Sequence, residues 1–225
     1  MRLLLLPGLN GSNRLFTPLL PHLPGNLTVE CLELPEEGAQ DYLSLADALH
    51  PKLGSTPFVL LGESFSGPLV RVLAQRSPAG LRGVVFAATF AVPPNPLLSL
   101  LQFLPLPPTT LLAQRKLIRQ FCVGRNASDA LVNLIAEEVR RLPTAQVHAR
   151  LKTLARLREP TSPLTIPCLS LVPLNDRLVS MRARASIAPG CENIRTKKIA
   201  GPHFLLQSRP EPCGAAIAAF MNELS

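Results

Sequence analysis

The stretch of sequence that most constrains the fold is residues 59–67, with the letters VLLGESFSG. An apolar run leads into a short pattern of glycine and serine, and an amphipathic segment, residues 69–74, follows it. This order predicts a buried strand, a sharp turn with Ser64 at its apex and a helix that leaves the turn. The small residues Gly62 and Ser66 let the two backbones approach closely on either side of Ser64.

A turn of this kind projects a serine hydroxyl out of a sheet and aims the first N–H groups of the helix at the same point. The pattern is short, and a strand-to-helix turn without chemistry explains it equally well on its own. A chemical interpretation of Ser64 therefore depends on finding partners for it elsewhere in the chain.

The strand of residues 58–61 is one of several that alternate with helical patterns. Apolar runs predict further strands at residues 2–6, 27–32, 83–88 and 166–172, and a sixth strand is expected at residues 194–199. Helical spacing of apolar residues predicts helices at residues 15–23, 43–53, 64–77, 180–187 and 210–224. Alternation at this spacing is typical of parallel βαβ units. The sequence therefore predicts an α/β fold with a doubly wound, mostly parallel sheet of about six strands.

The alternation stops at residues 93–160, which contain no convincing strand. A short apolar helix is expected at residues 97–104, and a second helix from Thr109 or Thr110 to Cys122. Ser128 and Thr144 can each cap a further helix. We therefore expect an all-helical lid at residues 93–160, inserted into a core formed by residues 1–92 and 161–225.

The predicted lid is strongly basic. Residues 114–159 hold ten Lys and Arg against four Asp and Glu, a balance of +6 within a chain of net charge +8. A solvated helix face is the more common explanation of such a pattern. The functional one is attraction of an anionic substrate, or of an acidic protein that carries the substrate. Nucleic acid is excluded as a partner, because the chain has no Trp, one Tyr and no dense basic tract.

Length and cysteine content restrict the class of protein further. The 225 residues suffice for a substantial core, and 47% hydrophobic residues argue against disorder. Pro and Gly interrupt every apolar run before the ~20 residues of a membrane span, and the first apolar run is too short for a signal peptide. Five cysteines without C-x-x-C spacing suit a reducing compartment. The expected location is the cytoplasm, with no metal and no cofactor.

A serine hydroxyl needs a base and an orienting acid to act as a nucleophile. Of the four histidines, only His203 follows a predicted strand, from which a loop could return it to Ser64; the others are His22, His50 and His148. Asp176 follows the preceding strand in the same way, although Asn-Asp is also a common turn pair. Glu63 is expected to point away from these partners. The resulting order is Ser64, Asp176, His203.

An oxyanion hole requires two N–H groups aimed where negative charge develops. One should be the N–H of Phe65, next to Ser64. The other should come from the loop after the first strand, residues 7–11 with the letters PGLNG, where glycine permits close approach. We assign Leu9 to this role, with Asn10 as second choice.

The motifs around Ser64, Asp176 and His203, together with the loop after the first strand, make the sequence similar to the small α/β-hydrolases with a helical lid. The likeness spans the whole chain and rests on the letters PGLNGS at 7–12, GESFSG at 62–67, NDRLV at 175–179 and GPHF at 201–204. It implies a parallel-sheet core, a lid after the fourth strand and hydrolysis through an acyl-serine. The sequence departs from the family pattern at three points. A Pro stands where many relatives have His, and Ser66 replaces the commoner glycine. The antiparallel hairpin that usually precedes the first strand is not expected, and this third departure predicts one more exposed sheet edge.

The expected reaction is cleavage of a small carboxylic ester or thioester. A serine at the apex disfavours the chemistry of those members of the fold that use a carboxylate nucleophile. The same triad could instead serve acyl transfer, hydrolysis of a carbon–carbon bond or cofactor-free perhydrolysis. A binding module that has the fold without turnover is a further alternative. The helix at residues 97–104 would either wall an acyl pocket or only fill the core of the lid.

Overall fold

A computed structural model of the protein describes residues 1–95 and 109–224. Six strands form one sheet in the order β2-β1-β3-β4-β5-β6, and every described pairing is parallel. The strands are β1 (Arg2–Leu6), β2 (Thr28–Cys31), β3 (Phe58–Glu63), β4 (Leu81–Ala87), β5 (Cys168–Pro173) and β6 (Ile194–Ile199). The prediction of an α/β fold with a parallel sheet of about six strands is confirmed.

The sheet is covered on both faces, as the leucines of β1 illustrate. Leu4 and Leu6 belong to one hydrophobic cluster and Leu3 and Leu5 to another, and all four are at most 1% exposed. Side chains alternate between the two faces of a strand. A strand that is apolar at every position is therefore one buried on both sides, as in doubly wound sheets.

Nine α-helices occur in the described ranges 1–95 and 109–224. They are α1 (Tyr42–Leu49), α2 (Ser66–Gln75), α3 (Thr109–Leu112), α4 (Arg115–Leu117), α5 (Asp129–Arg141), α6 (Thr144–Ala155), α7 (Met181–Ala185), α8 (Leu205–Ser208) and α9 (Pro210–Glu223). Helices α1 and α2 contribute to the first cluster, and α8 and α9 to the second.

Three of the expected helices differ from the structure. Residues 15–23 form two short 3-10 turns, Asn13–Phe16 and Leu20–His22, because prolines within the segment remove N–H donors. The single helix expected up to Cys122 is instead α3, α4 and a π-helical turn, Ile118–Val123. Thr144 is the first residue of α6 rather than its cap, and Pro143 precedes it.

In the insertion, by which we mean residues 93–160, all the regular secondary structure that the structure describes is helical. The helix expected at residues 97–104 lies outside the described residues. Helices α5 and α6 begin close to the predicted positions, and the side chain of Ser128 caps α5 by accepting the N–H of Leu131. The π-helical turn and α5 form a small core together with Ala113 and Leu15. None of the described helices is long and apolar enough to cross a membrane.

Candidate active site

Ser64 stands at the apex of the turn between β3 and α2, as the sequence predicts. Its φ is +47°, which is rare for a residue other than glycine and marks local backbone strain. The Ser64 N–H donates to the carbonyl of Ala87 at 2.9 Å, and the hydroxyl of Thr89 donates to the Ser64 carbonyl. The strained conformation is thus held from both sides, by the end of β4 and by the loop that follows it.

Two glycines make the turn possible. A Cβ at Gly62 would lie 2.5 Å from the carbonyl oxygen of Ser66, and one at Gly67 would lie 2.0 Å from the Oγ1 of Thr89. Ser66 is fully buried, and its hydroxyl donates to the carbonyl of Pro7. The departure from glycine at position 66 therefore adds a hydrogen bond from the turn to the loop after β1.

The structure brings together the three residues predicted to form a triad. Ser64 Oγ lies 2.9 Å from Nε2 of His203, and Nδ1 of His203 lies 2.8 Å from Oδ2 of Asp176. An Nδ1–H donated to Asp176 leaves Nε2 free to accept the hydroxyl proton of Ser64. Both partners come from loops after strands, Asp176 after β5 and His203 after β6.

The carboxylate of Asp176 is held by three donors. Its side chain is 0% exposed, and Oδ1 accepts the N–H groups of Leu178 at 2.8 Å and Val179 at 2.9 Å. Burial by itself raises the pKa of Asp176, but the hydrogen bond and charge of His203 and the two N–H donors outweigh it and bring the pKa below its ordinary value. Asp176 is therefore a fixed anion beside the imidazole.

The loop after β1 forms a tight turn beside Ser64. The N–H of Gly11 donates to the carbonyl of Gly8 at 3.0 Å, and a Cβ on Gly8 would lie 3.7 Å from that of Ser64. Over the described residues, the backbone N–H groups of Leu9 and Phe65 have no hydrogen-bond acceptor, and the same holds for Asn10. These unpaired donors suit an oxyanion hole, and the choice between Leu9 and Asn10 stays open.

Two buried side chains of the insertion reach this turn. Arg150 on α6 is 1% exposed and donates to the carbonyl of Leu9 at 2.7 Å. Glu138 on α5 is 4% exposed, accepts the hydroxyl of Ser12 and pairs with Arg14 at 2.7 Å. One cation and one anion from neighbouring helices therefore hold the turn and the residues just after it.

Glu63 is a second buried carboxyl near the serine. It is 5% exposed and accepts Nε2 of Gln207 at 2.8 Å. Burial raises its pKa, although the hydrogen bond from Gln207, the charge of His203 and the N–H of Gly8 act in the opposite direction. The expectation that Glu63 points away from the partners of Ser64 is wrong in this respect, because Glu63 lines the same cavity as Ser64 and His203.

A cavity of about 540 Å³ opens beside Ser64 and His203. Most of its walls are apolar, and the insertion supplies Ile118, Val147 and Leu151. Leu9 and Phe90 complete the wall on the side of the sheet. A volume of this size matches the pockets that bind small molecules, and its apolar lining suits the acyl chain of an ester.

A second, polar groove of about 550 Å³ lies next to the loops that carry the acid and the base. Its lining includes Arg125, Arg177 and Arg209 and no acidic residue, and it shares Phe121 with the apolar cavity. In the described part of the chain, none of the three arginines lies within ion-pair distance of a carboxylate.

The remaining titratable groups of the described residues include the five cysteines. No group of three His, Cys, Asp or Glu side chains there could hold a metal ion. The five cysteines are free thiols, and burial raises the pKa of Cys31, Cys122 and Cys213 to about 12.

No family model matches the sequence, and a comparison with curated proteins also gives no match. Solved structures match over nearly the whole chain. A thermophilic esterase from Thermogutta terrifontis superposes with a TM-score of 0.82 at 19% identity, covering 100% of this chain and 90% of its own. The enol-lactonase of Burkholderia xenovorans gives 0.81 at 15% identity, covering 98% of this chain and 91% of its own.

A more distant match belongs to a biosynthetic pathway. A thioesterase of prodiginine biosynthesis in Streptomyces coelicolor gives a TM-score of 0.72 at 19% identity, covering 98% of this chain and 84% of its own. The chain therefore has the α/β-hydrolase fold, as its four motifs indicated.

Sequence reasoning found the residues at strand ends but missed the buried polar residues behind them. From the sequence, Arg150 is one of the basic residues of a solvated or partner-binding lid, yet it is almost fully buried. Glu138 is, from the sequence, one of four acids in that segment. The amphipathic pattern of α5 and α6 contains a weak signal, because both residues fall on the apolar side of their helix.

Proposed function

We propose that the protein is a serine hydrolase that cleaves a carboxylic ester or thioester through an acyl-serine intermediate. The observation that carries this proposal is the continuous chain of contacts from Ser64 through His203 to Asp176, at 2.9 and 2.8 Å. The triad opens onto an apolar cavity, which supports an acyl group as the part of the substrate that binds there.

In the proposed reaction, His203 Nε2 takes the hydroxyl proton as Ser64 Oγ attacks the carbonyl carbon of the substrate. The N–H groups of Phe65 and Leu9, or Asn10 in place of Leu9, stabilise the oxyanion of the tetrahedral intermediate. His203 then gives the proton to the leaving alcohol or thiol, and the acyl group remains on Ser64. Water, deprotonated by His203, attacks the acyl-serine and releases the carboxylic acid.

A panel of p-nitrophenyl esters and N-acetylcysteamine thioesters tests the proposal, with Ser64→Ala as the inactive variant. The matched control is Ser77→Ala, because Ser77 also has a positive φ of 51° but lies exposed on the surface. We expect turnover by the wild-type protein and Ser77→Ala, labelling of Ser64 by a fluorophosphonate, and loss of both in Ser64→Ala. Full activity of Ser64→Ala would contradict the proposal.

The alternatives for the triad differ in the acceptor of the acyl group. Adding methanol or hydrogen peroxide to the assay separates them, since acyl transfer yields a methyl ester and perhydrolysis a peracid. Hydrolysis of a carbon–carbon bond would give turnover of a β-diketone but not of simple esters. A failure to react with every ester, thioester and diketone would favour a binding module.

An anionic substrate is a second proposal, and the polar groove favours it. Arg125, Arg177 and Arg209 line a groove without acids next to the catalytic loops, so a leaving group that bears phosphate would find complementary charge there. A coenzyme A thioester has phosphates in its leaving group, whereas an N-acetylcysteamine thioester of the same acid has none. We expect a higher kcat/KM for the coenzyme A thioester, and Arg125→Gln with Arg209→Gln should remove that preference. Arg158→Gln, exposed near the end of the insertion, is the control.

A substrate carried on an acidic protein would use the outer face of the insertion instead. Arg140, Arg141 and Lys152 are exposed there, whereas Arg150 is buried and contributes nothing to that surface. Reversal of these three charges should lower kcat/KM for the carried substrate and weaken its dependence on salt concentration. Unchanged values for both would remove this idea without affecting the hydrolase proposal.

A further inference from the structure

We propose that Arg150 is a positioning residue for the oxyanion hole. It fixes the direction of the central peptide, Leu9–Asn10, in the turn at residues 8–11. This inference rests on the proposed hydrolase function. Three features support it: the way in which Arg150 is bound, the conformation of the turn and the residue type at position 10.

Every nitrogen of the Arg150 guanidinium donates to an oxygen that lies near the oxyanion loop. Nε donates to Oε1 of Gln40 at 2.9 Å, one terminal nitrogen to the carbonyl of Leu9 at 2.7 Å and the other to the carbonyl of Pro35 at 3.2 Å. The guanidinium also lies over the ring of Phe65, 5.9 Å from its centre. Arg150 therefore contacts both segments that supply the candidate oxyanion donors.

Arg150 holds this position without a paired carboxylate. No acidic side chain of the described residues forms an ion pair with it, and burial lowers its pKa to about 10 despite the nearby charge of Glu36. A buried cation without an ion-pair partner is costly. The burial of Arg150 is more readily explained by the three oxygens that its guanidinium binds than by a general contribution to the core.

The turn of residues 8–11 has two alternative forms that differ in one peptide. The N–H of Gly11 bonds to the carbonyl of Gly8, and neither Leu9 nor Asn10 has a positive φ. The absence of a positive φ at Asn10 excludes a type II turn, and together with the hydrogen bond from Gly11 to Gly8 it indicates a type I turn. The type II form would rotate the Leu9–Asn10 peptide by about 180° and give Asn10 a positive φ. The carbonyl of Leu9 and the N–H of Asn10 would then exchange directions.

A positive φ at position 10 adds little backbone strain, because the residue there is asparagine. Asparagine tolerates positive φ better than most residues, so the backbone at position 10 permits the type II form. The contacts that oppose it are those of Arg150 and those of the Asn10 side-chain amide, which donates to Ser12 and Glu138. The hydrogen bond from Arg150 to the carbonyl of Leu9 exists only in the type I form. In addition, a Cβ on Gly11 would lie 2.6 Å from a terminal nitrogen of Arg150, so glycine leaves the space that the guanidinium occupies.

The consequence for catalysis follows from the geometry of a peptide. Rotation of the Leu9–Asn10 peptide would put a carbonyl oxygen where an N–H now lies and would redirect the loop next to Ser64. An oxyanion is stabilised by donors and repelled by a carbonyl oxygen. The rotation moves the N–H of Asn10 but not that of Leu9 or Phe65, so the inference takes Asn10 as the second oxyanion donor. Without Arg150, only the fraction of molecules in the type I form would present the Asn10 N–H, and kcat would fall in proportion.

The first experiment replaces Arg150 by Met, with Arg156→Met at the exposed end of α6 as the control. We expect kcat of Arg150→Met on a p-nitrophenyl ester to fall at least about tenfold with little change in KM. Inhibition by a trifluoromethyl ketone, which forms an oxyanion with the serine, should weaken by the same factor as kcat/KM. Rates are expressed per serine titrated with a fluorophosphonate, so a loss of folded protein alone would not change them.

The second experiment tests the rotation itself at position 10. Asn10→Ala and Asn10→Gly both remove the side-chain amide, but only glycine adopts positive φ without strain. With Arg150 present, the two variants should have similar kcat. In the Arg150→Met background, the glycine variant should be slower than the alanine variant by about fivefold or more. If Arg150→Met does not fold, Asn10→Ala and Asn10→Gly are measured in the Arg150→Lys background. There we expect a ratio of their kcat values between those of the other two backgrounds.

Two results would overturn the inference. One is a kcat for Arg150→Met within about threefold of the wild type; the other is the same Asn10→Ala to Asn10→Gly ratio in both backgrounds. Ser64→Ala separates this failure from failure of the proposed function. If Ser64→Ala is inactive while Arg150→Met is not impaired, Ser64 remains the nucleophile and only the role of Arg150 is wrong.

Discussion

Asp176 shows how a buried anion can orient a base. Its carboxylate accepts Nδ1–H of His203 and two backbone N–H groups, so the imidazole is held in the tautomer that leaves Nε2 free for Ser64. Asp176→Asn would replace an acceptor by an amide and favour the wrong tautomer. We expect kcat to fall by roughly 10³ to 10⁴ with KM nearly unchanged.

Steady-state kinetics on a p-nitrophenyl ester measures this effect, with Asp47→Asn as the control. Asp47 is exposed and pairs with Arg76 on the surface. A loss of less than about tenfold in Asp176→Asn would mean that the carboxylate is not required to orient His203.

Glu63 gives a prediction about stability rather than rate. Its pKa in the folded protein lies above the ordinary value, mainly because of burial, so the folded state binds a proton more tightly than the unfolded state. Ionisation of Glu63 therefore lowers the free energy of unfolding as the pH rises from about 4 through the raised pKa. Groups that interact with it electrostatically are His203, Cys31 and Cys213.

Glu63→Gln removes this ionisation. We expect the free energy of unfolding of Glu63→Gln, relative to the wild type, to increase between about pH 4 and about pH 7. Urea unfolding at several pH values measures the difference, and Glu37→Gln, exposed on the surface, should show no such trend. A relative stability that falls with increasing pH would contradict the raised pKa.

The residues of the site that could be predicted are those that follow strands. Ser64, Asp176 and His203 each stand just after a strand, and the carboxyl ends of parallel strands meet at one edge of a sheet. Arg150 could not be predicted, because its partner Leu9 lies 141 residues away in the chain. Composition makes it one basic residue among many, and only packing distinguishes a buried arginine from an exposed one.

At the scale of elements, the turn between β3 and α2 depends on close contact with the loop after β4. A Cβ on Gly67 would meet Oγ1, Cγ2 and Cβ of Thr89 at 2.0, 2.5 and 2.7 Å. We expect Gly67→Ala to lower the free energy of unfolding by about 2 to 3 kcal/mol, as is usual for overpacking. Thr89→Gly, combined with Gly67→Ala in one variant, would remove the side-chain atoms that the alanine Cβ contacts.

Chemical denaturation of the two single variants and the double variant measures the coupling. The double variant should be more stable than the sum of the single effects implies, by about 1 kcal/mol or more. Additive effects would mean that the side chain of Thr89 does not limit position 67.

The elements themselves were largely predictable because strands buried on both faces are continuous apolar runs. The strand β1 was predicted at its full extent, residues 2–6. The errors arose where proline interrupts an apolar pattern, as in residues 15–23, and where the π-helical turn Ile118–Val123 replaces a regular helix. Apolar spacing alone does not distinguish among α, 3-10 and π hydrogen bonding.

At the scale of the whole molecule, the apolar cavity should set the preference for acyl length. Its volume of about 540 Å³ and its leucine-rich wall favour a substrate with several methylene groups. We expect kcat/KM for p-nitrophenyl esters to rise from acetyl by up to about fourfold per methylene, until the cavity is full.

Leu154→Phe should move the optimum toward shorter chains, because Leu154 lines the cavity and is 5% exposed. A preference for acetate with a steady decrease for longer chains would contradict this assignment of the pocket. The volume itself could not be predicted from the sequence, since it depends on how the insertion packs over the sheet.

The central claim is that Ser64 forms a covalent acyl intermediate. Rapid-quench mixing of the protein with a p-nitrophenyl ester, followed by mass spectrometry of its peptides, tests this claim directly. We expect a burst of p-nitrophenol close to one equivalent per active site and an acyl adduct on the peptide that contains Ser64, with both absent in Ser64→Ala and present in Ser77→Ala. Turnover in the wild type with an adduct on another residue, or equal turnover in Ser64→Ala, would contradict it.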